Sequence, residues 1–226
     1  MPQLPSFLSV QNHSLDADST VVTRVGMRLP QGYKPQPQIL SEWCWAAVTS
    51  FVAKIWLGRD VRQCEVAESF ARHFGIFDPN IAYCPPNGQL PLPVLNRQVS
   101  IQKTLACLFE DPEHSIPGFG EIASHRIGSV RAFLLKRLAK ADPAPIPLHI
   151  SWTGELGGHF ICVFAMISQG ASTVYFVFDP MRQYQDEDED TGYRLSEREM
   201  DDFKGADGWG VASRGYPDQY IMLERL

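Results

Sequence analysis

The 226-residue chain reads as an α+β protein. Three observations predict this class. Apolar residues recur at helical spacing up to about residue 140, the period becomes that of strands from about residue 145, and the length suits one domain. Helices come first and an antiparallel sheet follows. An apolar content of 44% with 20% charged residues is that of an ordinary globular chain, so a core can form without metal or disulfide staples.

Residues 1–20 are polar and rich in Pro, Ser and Asp, and are expected to be a poorly ordered N-terminal segment. A single domain is expected over 21–226, with a helical part over about 38–140 and a sheet part over about 145–226. "STVVTRVGMRL" has the β-branched content of a first strand. "PQGYKPQPQ" is an extended loop, because each proline biases its predecessor away from helix. From Cys44 to Leu57, residues Ala47, Val48, Phe51, Val52, Ile55 and Trp56 keep helical spacing, and Gly58 is a plausible stop. Apolar residues on most sides make this helix central and buried. A second helix is expected over Val61–Phe74, with Asp60 as N-cap and Gly75 as C-cap. Residues 76–98 carry prolines and an Asn-Gly and read as loop; a third helix falls near Val99–Glu110 and "DPEHSIPGFGE" as another loop. "SVRAFLLKRLAKA" is helical, with Ser129 as a cap. "PIPLHISW", "HFICVFAMIS" and "TVYFVFDP" are strands joined by "TGELGG" and "QGAS" turns, hence an antiparallel meander. "RQYQDEDEDTG" is an acidic solvated loop, and "YRLSEREMDDF" and "QYIMLERL" supply an edge strand, a short helix and a final strand.

The net charge of -6 argues against a nucleic-acid partner. No run of apolar residues is long enough to span a bilayer, and "MPQLPSFLSVQNHSLDADST" lacks the features of a Sec signal, which leaves a cytoplasmic protein or one exported by another route. The five cysteines are odd in number, so at least one thiol is free within a single chain. Cys64 and Cys84 read either as a disulfide or as buried free thiols. Their spacing with His73, Cys107 and His114 fits no zinc pattern, so no metal is expected.

The chemistry gathers elsewhere. Cys44 stands at the expected start of the buried helix, where free N–H groups and the positive end of the dipole favour thiolate over thiol. A thiolate needs a base, and His159 follows Gly157-Gly158 at the opening of a buried strand. The glycines leave space beside the imidazole for a substrate backbone. Asp179 ends the next strand, and antiparallel pairing brings it to the same sheet edge as His159, within reach of the ring. Gln38, six residues before Cys44, can turn its amide N–H toward the same carbonyl oxygen as the Cys44 backbone N–H, forming an oxyanion hole. Trp43, Trp152, Gly157 and Gly158 are candidate cleft-lining residues, and Trp45 packs beneath the site. His149, Cys107 and Cys162 alternate with or sit among apolar residues and read as structural.

The segments "QILSEWCWAA", "GGHF" and "VFDP" together resemble the active-site segments of papain-like cysteine proteases. The resemblance is to the compact bacterial branch, which includes bacteriocin-leader peptidases and effector proteases of plant pathogens. It implies a papain-like fold, with a helical lobe whose central helix carries Cys44, packed on a twisted antiparallel sheet carrying His159 and Asp179. It further implies a cysteine peptidase acting on a protein or peptide substrate through a Cys-His-Asp triad and a thioester, with no cofactor, in the role of a secreted bacterial effector. Ser41 stands where papain and the cathepsins carry a cysteine, Trp43 replaces a small residue, and His159 lies only 115 residues after Cys44. These departures fit the compact branch better than a lysosomal cathepsin. The same triad also serves deamidation, isopeptide cleavage or transamidation, and a silent copy of the fold would be a binding module.

Overall fold

The alternation of apolar residues after residue 145 sets the architecture, because it builds the long strand on which everything else packs. The computed structural model describes residues 11–13, 22–80, 82–85, 99–108, 114–154, 157–182, 193–204 and 214–225. Its elements in chain order are β1 (Gln11–His13), β2 (Val22–Gly26), α1 (Cys44–Leu57), α2 (Gln63–His73), α3 (Ile101–Leu108), β3 (His114–Glu121) and α4 (Arg131–Leu138). There follow β4 (Ile146–Trp152), β5 (Gly158–Gln169), β6 (Ser172–Phe178), β7 (Tyr193–Ser196), α5 (Glu197–Asp201), β8 (Phe203–Lys204) and β9 (Arg214–Arg225). Helix and antiparallel sheet are mixed in one α+β fold.

All described strand pairs are antiparallel. β5 is the hub. One of its edges pairs first with β4, from Gly158 to Val163, and then with β2, from Ala165 to Gln169. Its other edge pairs with β6, whose outer edge takes β7. β4 pairs in turn with β9, which carries β3 and β8 beyond it. The meander of β4, β5 and β6 is the one the turn residues predict, with Gly170 in the left-handed region (φ 57°) at the tight connection.

The sheet divides two apolar cores. On one face α1, α2 and α3 pack onto Cys162, Phe164, Phe176 and Phe178. On the other, Leu134 and Leu138 of α4 and Met200 of α5 pack onto Ile161, Val163, Tyr175 and Val177. α4 thus lies across the sheet from the other long helices. The register shift between Val163 and Ala165 is a bulge that turns Phe164 and Ala165 to the α1 face together. α1 is buried nearly all round, as its sequence requires. Its Phe51 stacks on Phe178 with centroids 4.4 Å apart, and Thr49 satisfies its hydroxyl on the Trp45 carbonyl and on Thr104 of α3. Gly58 (φ 66°) closes the helix.

Several local expectations shift. Three residues of the N-terminal segment, Gln11–His13, pair with β2; the rest of 1–20 lies outside the described residues, as do most of the acidic loop 182–192 and residues 86–98 of the proline-rich loop. "HSIPGFGE" is strand β3 rather than loop. Its glycines and proline hide this, yet a Cβ at Gly120 would fall inside the Tyr220 ring, so glycine is what lets β9 approach. The helical stretch therefore also contributes a strand, while the short helix expected in "YRLSEREMDDF" is α5. The N-cap of α2 is Arg62, in a reciprocal pair with Glu65, while Asp60 binds Lys54 at 2.6 Å. α4 starts from Val130 with no side-chain cap, so Ser129 does not cap it.

Cys64 and Cys84 are joined by a disulfide that ties α2 to the loop after it (Cα–Cα 5.3 Å). Closing a span of this order restrains the unfolded chain by about 3 kcal/mol. Replacing both residues with serine should lower the melting temperature by about 6–12 °C. Thermal unfolding of the double variant beside the wild type measures this.

Candidate active site

Cys44 is the first residue of α1. A tight turn starts the helix there: the Trp43 N–H donates to the Leu40 carbonyl at 3.0 Å, and the Ala47 N–H donates to the Trp43 carbonyl at 2.9 Å. Trp43, the N-cap residue, makes no side-chain capping hydrogen bond. His159 is the second residue of β5 and Asp179 directly follows β6, so pairing of the two strands brings both to one sheet edge. His159 Nε2 lies 2.7 Å from Asp179 Oδ1. The other ring nitrogen, Nδ1, is left for Cys44, which lines one cavity with Gly158 and Phe160, the residues on either side of His159, and acts electrostatically on the ring. Cys44, His159 and Asp179, predicted from three separate segments, are thus brought to one site.

The carboxylate is held from several sides. Asp179 is fully buried; Oδ1 also accepts from the Met181 N–H at 3.0 Å, and Oδ2 accepts from Arg182 Nε at 3.0 Å. Arg182 continues outward to the Lys204 carbonyl and lies over the Tyr193 ring at 3.9 Å. The imidazole is covered by Trp152, whose ring is 5.9 Å away and within 14° of parallel, and by Phe203 at 6.1 Å. These rings keep water from the His159–Asp179 bond, which strengthens it.

Burial alone would push the His159 pKa down. The hydrogen bond and charge of Asp179, with those of Cys44, outweigh burial and raise it to about 9. Burial likewise opposes ionisation of Asp179, but His159, the Met181 N–H and the Arg182 charge hold its carboxyl below the ordinary range. The pair is therefore an imidazolium beside a carboxylate at neutral pH.

Gln38 is buried near Cys44 but does not present its amide as the sequence predicts. Its Nε2 donates to the Leu40 carbonyl at 3.1 Å and to the Ser41 carbonyl at 2.6 Å, and Oε1 is buried with no partner among the described residues. The close turn that starts α1 is the reason, since it places two carbonyls within reach of the side chain. The Gln38 backbone is anchored beside Asp179: its N–H donates to the Pro180 carbonyl at 2.8 Å, one residue further on. Gln63 of α2 clamps the same loop, accepting from the Ile39 N–H at 3.1 Å and donating to the Pro37 carbonyl at 2.8 Å.

Beside the sulfur is a cavity of about 220 Å³, walled by Cys44, Trp45, Val99, Ser100 and Phe160, with His149 and Gly158 on the sheet side. Gly158 lines it as expected. Gly157 is needed for its backbone (φ 110°), which a side chain would strain. Trp43 is not a cleft residue: it is 3% exposed and packs on Trp45 inside the core, because the turn before α1 rolls it inward. Trp152 lies against the histidine instead of the cavity. Gln63 and Phe203 leave no local signal in the sequence, whereas Arg182 lies three residues beyond Asp179 in "DPMR". Among the described residues, no cluster of three or more His, Cys, Asp or Glu is arranged to hold a metal, and no helix is long and apolar enough to cross a membrane.

No protein-family model and no curated protein matches the chain. The geometry of the site carries the functional argument alone.

The raised His159 pKa has a signed consequence. A group whose folded pKa lies above its unfolded value adds stability that is complete below the unfolded pKa. This part of the stability should be lost as pH rises from about 6.5 to about 9. Urea unfolding across that range should show the decline in the wild type and a flatter profile in His159→Gln.

Proposed function

We propose that the protein is a papain-like cysteine peptidase. The observation that carries this is that Cys44, at a helix start, shares a cavity wall with the neighbours of His159, whose ring bonds a buried Asp179 at 2.7 Å. Few packing arguments call for a thiol, an imidazole and a carboxylate joined in series at the wall of an open cavity, whereas nucleophilic catalysis requires that series.

The Cys44 sulfur, as thiolate, attacks the carbonyl carbon of the scissile amide. The carbonyl electrons move to oxygen, where the Cys44 N–H stabilises the charge, joined by one Gln38 amide hydrogen as it leaves the Leu40 or Ser41 carbonyl that holds it at rest. The oxyanion collapses, the C–N bond breaks, and the His159 Nδ1 proton passes to the leaving nitrogen. A water then gives a proton to His159 and its oxygen attacks the thioester carbon. The C–S bond breaks, releasing the acid and restoring the thiolate beside the imidazolium. Asp179 stays ionised throughout, fixing the tautomer and the ring orientation. Transfer of the acyl group to water distinguishes peptidase, isopeptidase and deamidase from transamidase, and mass spectrometry of the products separates all four.

At about pH 6 an ordinary thiol, of pKa about 8.5, is only about 0.3% ionised. Iodoacetamide should nonetheless modify Cys44 at that pH far faster than a model thiol, sparing Cys107 and Cys162. Proteome-wide cleavage mapping should give sites with the wild type that vanish with Cys44→Ala. Labelling no faster than the model thiol, with activity surviving Cys44→Ala, would overturn the reading. Gln38→Ala should lower kcat by about 10²–10³ with little change in KM, the mark of a donor used in the transition state. Steady-state kinetics on a mapped peptide tests this.

A further inference from the structure

A second histidine–carboxylate array faces the same cavity. β4 and β9 are out of simple register at one point: His149 pairs with Gln219 and Ile150 with Pro217, so Asp218 is an extra, bulged residue. A bulge re-aims a side chain. Here Asp218 Oδ1 lies 2.7 Å from His149 Nδ1, and Oδ2 accepts from the Ser151 hydroxyl at 2.7 Å. Burial opposes ionisation of Asp218, but the hydrogen bonds from His149 and Ser151 prevail and hold its carboxyl below the ordinary range. An ionised carboxylate accepts, so Nδ1 carries the hydrogen, and in that tautomer Nε2 is the acceptor nitrogen.

That Nε2 takes no hydrogen bond from a described residue. It lies directly over Gly158, where a Cβ would collide with it, and the ring forms part of the cavity wall beside Cys44. Gly158 thus makes room for His149 as much as for a substrate. A strut between β4 and β9 needs only the Ser151–Asp218 bond. It does not need an oriented imidazole in the wall of a cavity.

The rest of the wall sets what fits. Trp45, Val99 and Phe160 are apolar and two are aromatic. A cavity of about 220 Å³ exceeds the roughly 150 Å³ that suffices for a benzene ring. We propose that this cavity is the side-chain subsite of the peptidase, that it takes an aromatic side chain bearing a hydrogen-bond donor, as tyrosine does, and that His149 Nε2 accepts the donor hydrogen. Asp218 and Ser151 are positioning residues for that ring. The inference rests on the peptidase reading above.

The test uses peptidyl fluoromethyl ketones with Tyr, Phe or Leu at the first or second residue before the warhead, and reads the rate of Cys44 modification relative to iodoacetamide on the same sample. The Tyr probe should react roughly 3- to 10-fold faster than the Phe probe at one of the two positions, the range one net hydrogen bond supplies. His149→Leu should bring the ratio to about one, and His149→Gln, whose amide oxygen can accept, should restore part of it. Because each ratio is internal to one preparation, loss of folded protein does not mimic the effect. Equal Tyr and Phe rates in the wild type, or a ratio unmoved by His149→Leu, overturns the subsite while leaving the nucleophile standing. Failure of every reagent to modify Cys44 overturns both.

Discussion

The 2.7 Å bond between His159 and Asp179 is the interaction on which the rest of the site depends. A buried ion pair is costly, because both groups give up water, and it persists only where geometry and further hydrogen bonds compensate. Here the compensation is visible. Met181 and Arg182 complete the carboxylate, and Trp152 and Phe203 close over the imidazole. The turn that follows Asp179 does more than hold the carboxylate. Its Pro180 carbonyl anchors the Gln38 backbone, so Asp179 and the loop leading into α1 are fixed by one short stretch of chain.

The sulfur is positioned by a different part of the molecule, and the two must meet accurately. Cys44 belongs to α1, while His159 belongs to β5. Phe51 locks them together, stacking on Phe178 of β6 and packing on Phe164 of β5. Phe164 lies on the strand that carries His159, and Phe178 directly precedes Asp179. A close-packed core of this kind transmits position with little play, so the distance between Cys44 and His159 is set by packing several residues away. The functional groups are therefore few, but the apolar surface that aligns them is most of one core.

This division explains what the sequence reveals and what it conceals. α1 is legible because its apolar period is long and uninterrupted, and the meander because its turns carry glycine between β-branched and aromatic runs. The meeting of His159 with Asp179 is legible because strand pairing converts sequence position into distance. Gln63 and Phe203 reach the site from elements whose packing no local pattern specifies. β3 is concealed because the glycine that admits Tyr220 is also a loop signal. Asp218 is concealed for a related reason: a bulge is a one-residue discrepancy between two strands, and neither strand shows it alone. His149 accordingly reads as a core residue until its partner across the bulge is known.

Gln38 shows the limit of reading a side chain's role from its position. Its amide hydrogens go to the Leu40 and Ser41 carbonyls, and its Oε1 is desolvated without a partner. An unsatisfied buried acceptor costs about 1–3 kcal/mol, so this arrangement is not one that stability alone would select. In the proposed reaction the balance reverses. An oxyanion at Cys44 is a charged acceptor, and charge-assisted hydrogen bonds are roughly twice as strong as those to neutral carbonyls. The amide is then drawn to the developing charge only when that charge exists. A donor that is occupied in the resting site and released by the oxyanion contributes to the transition state and not to ground-state binding, which is the condition for raising kcat.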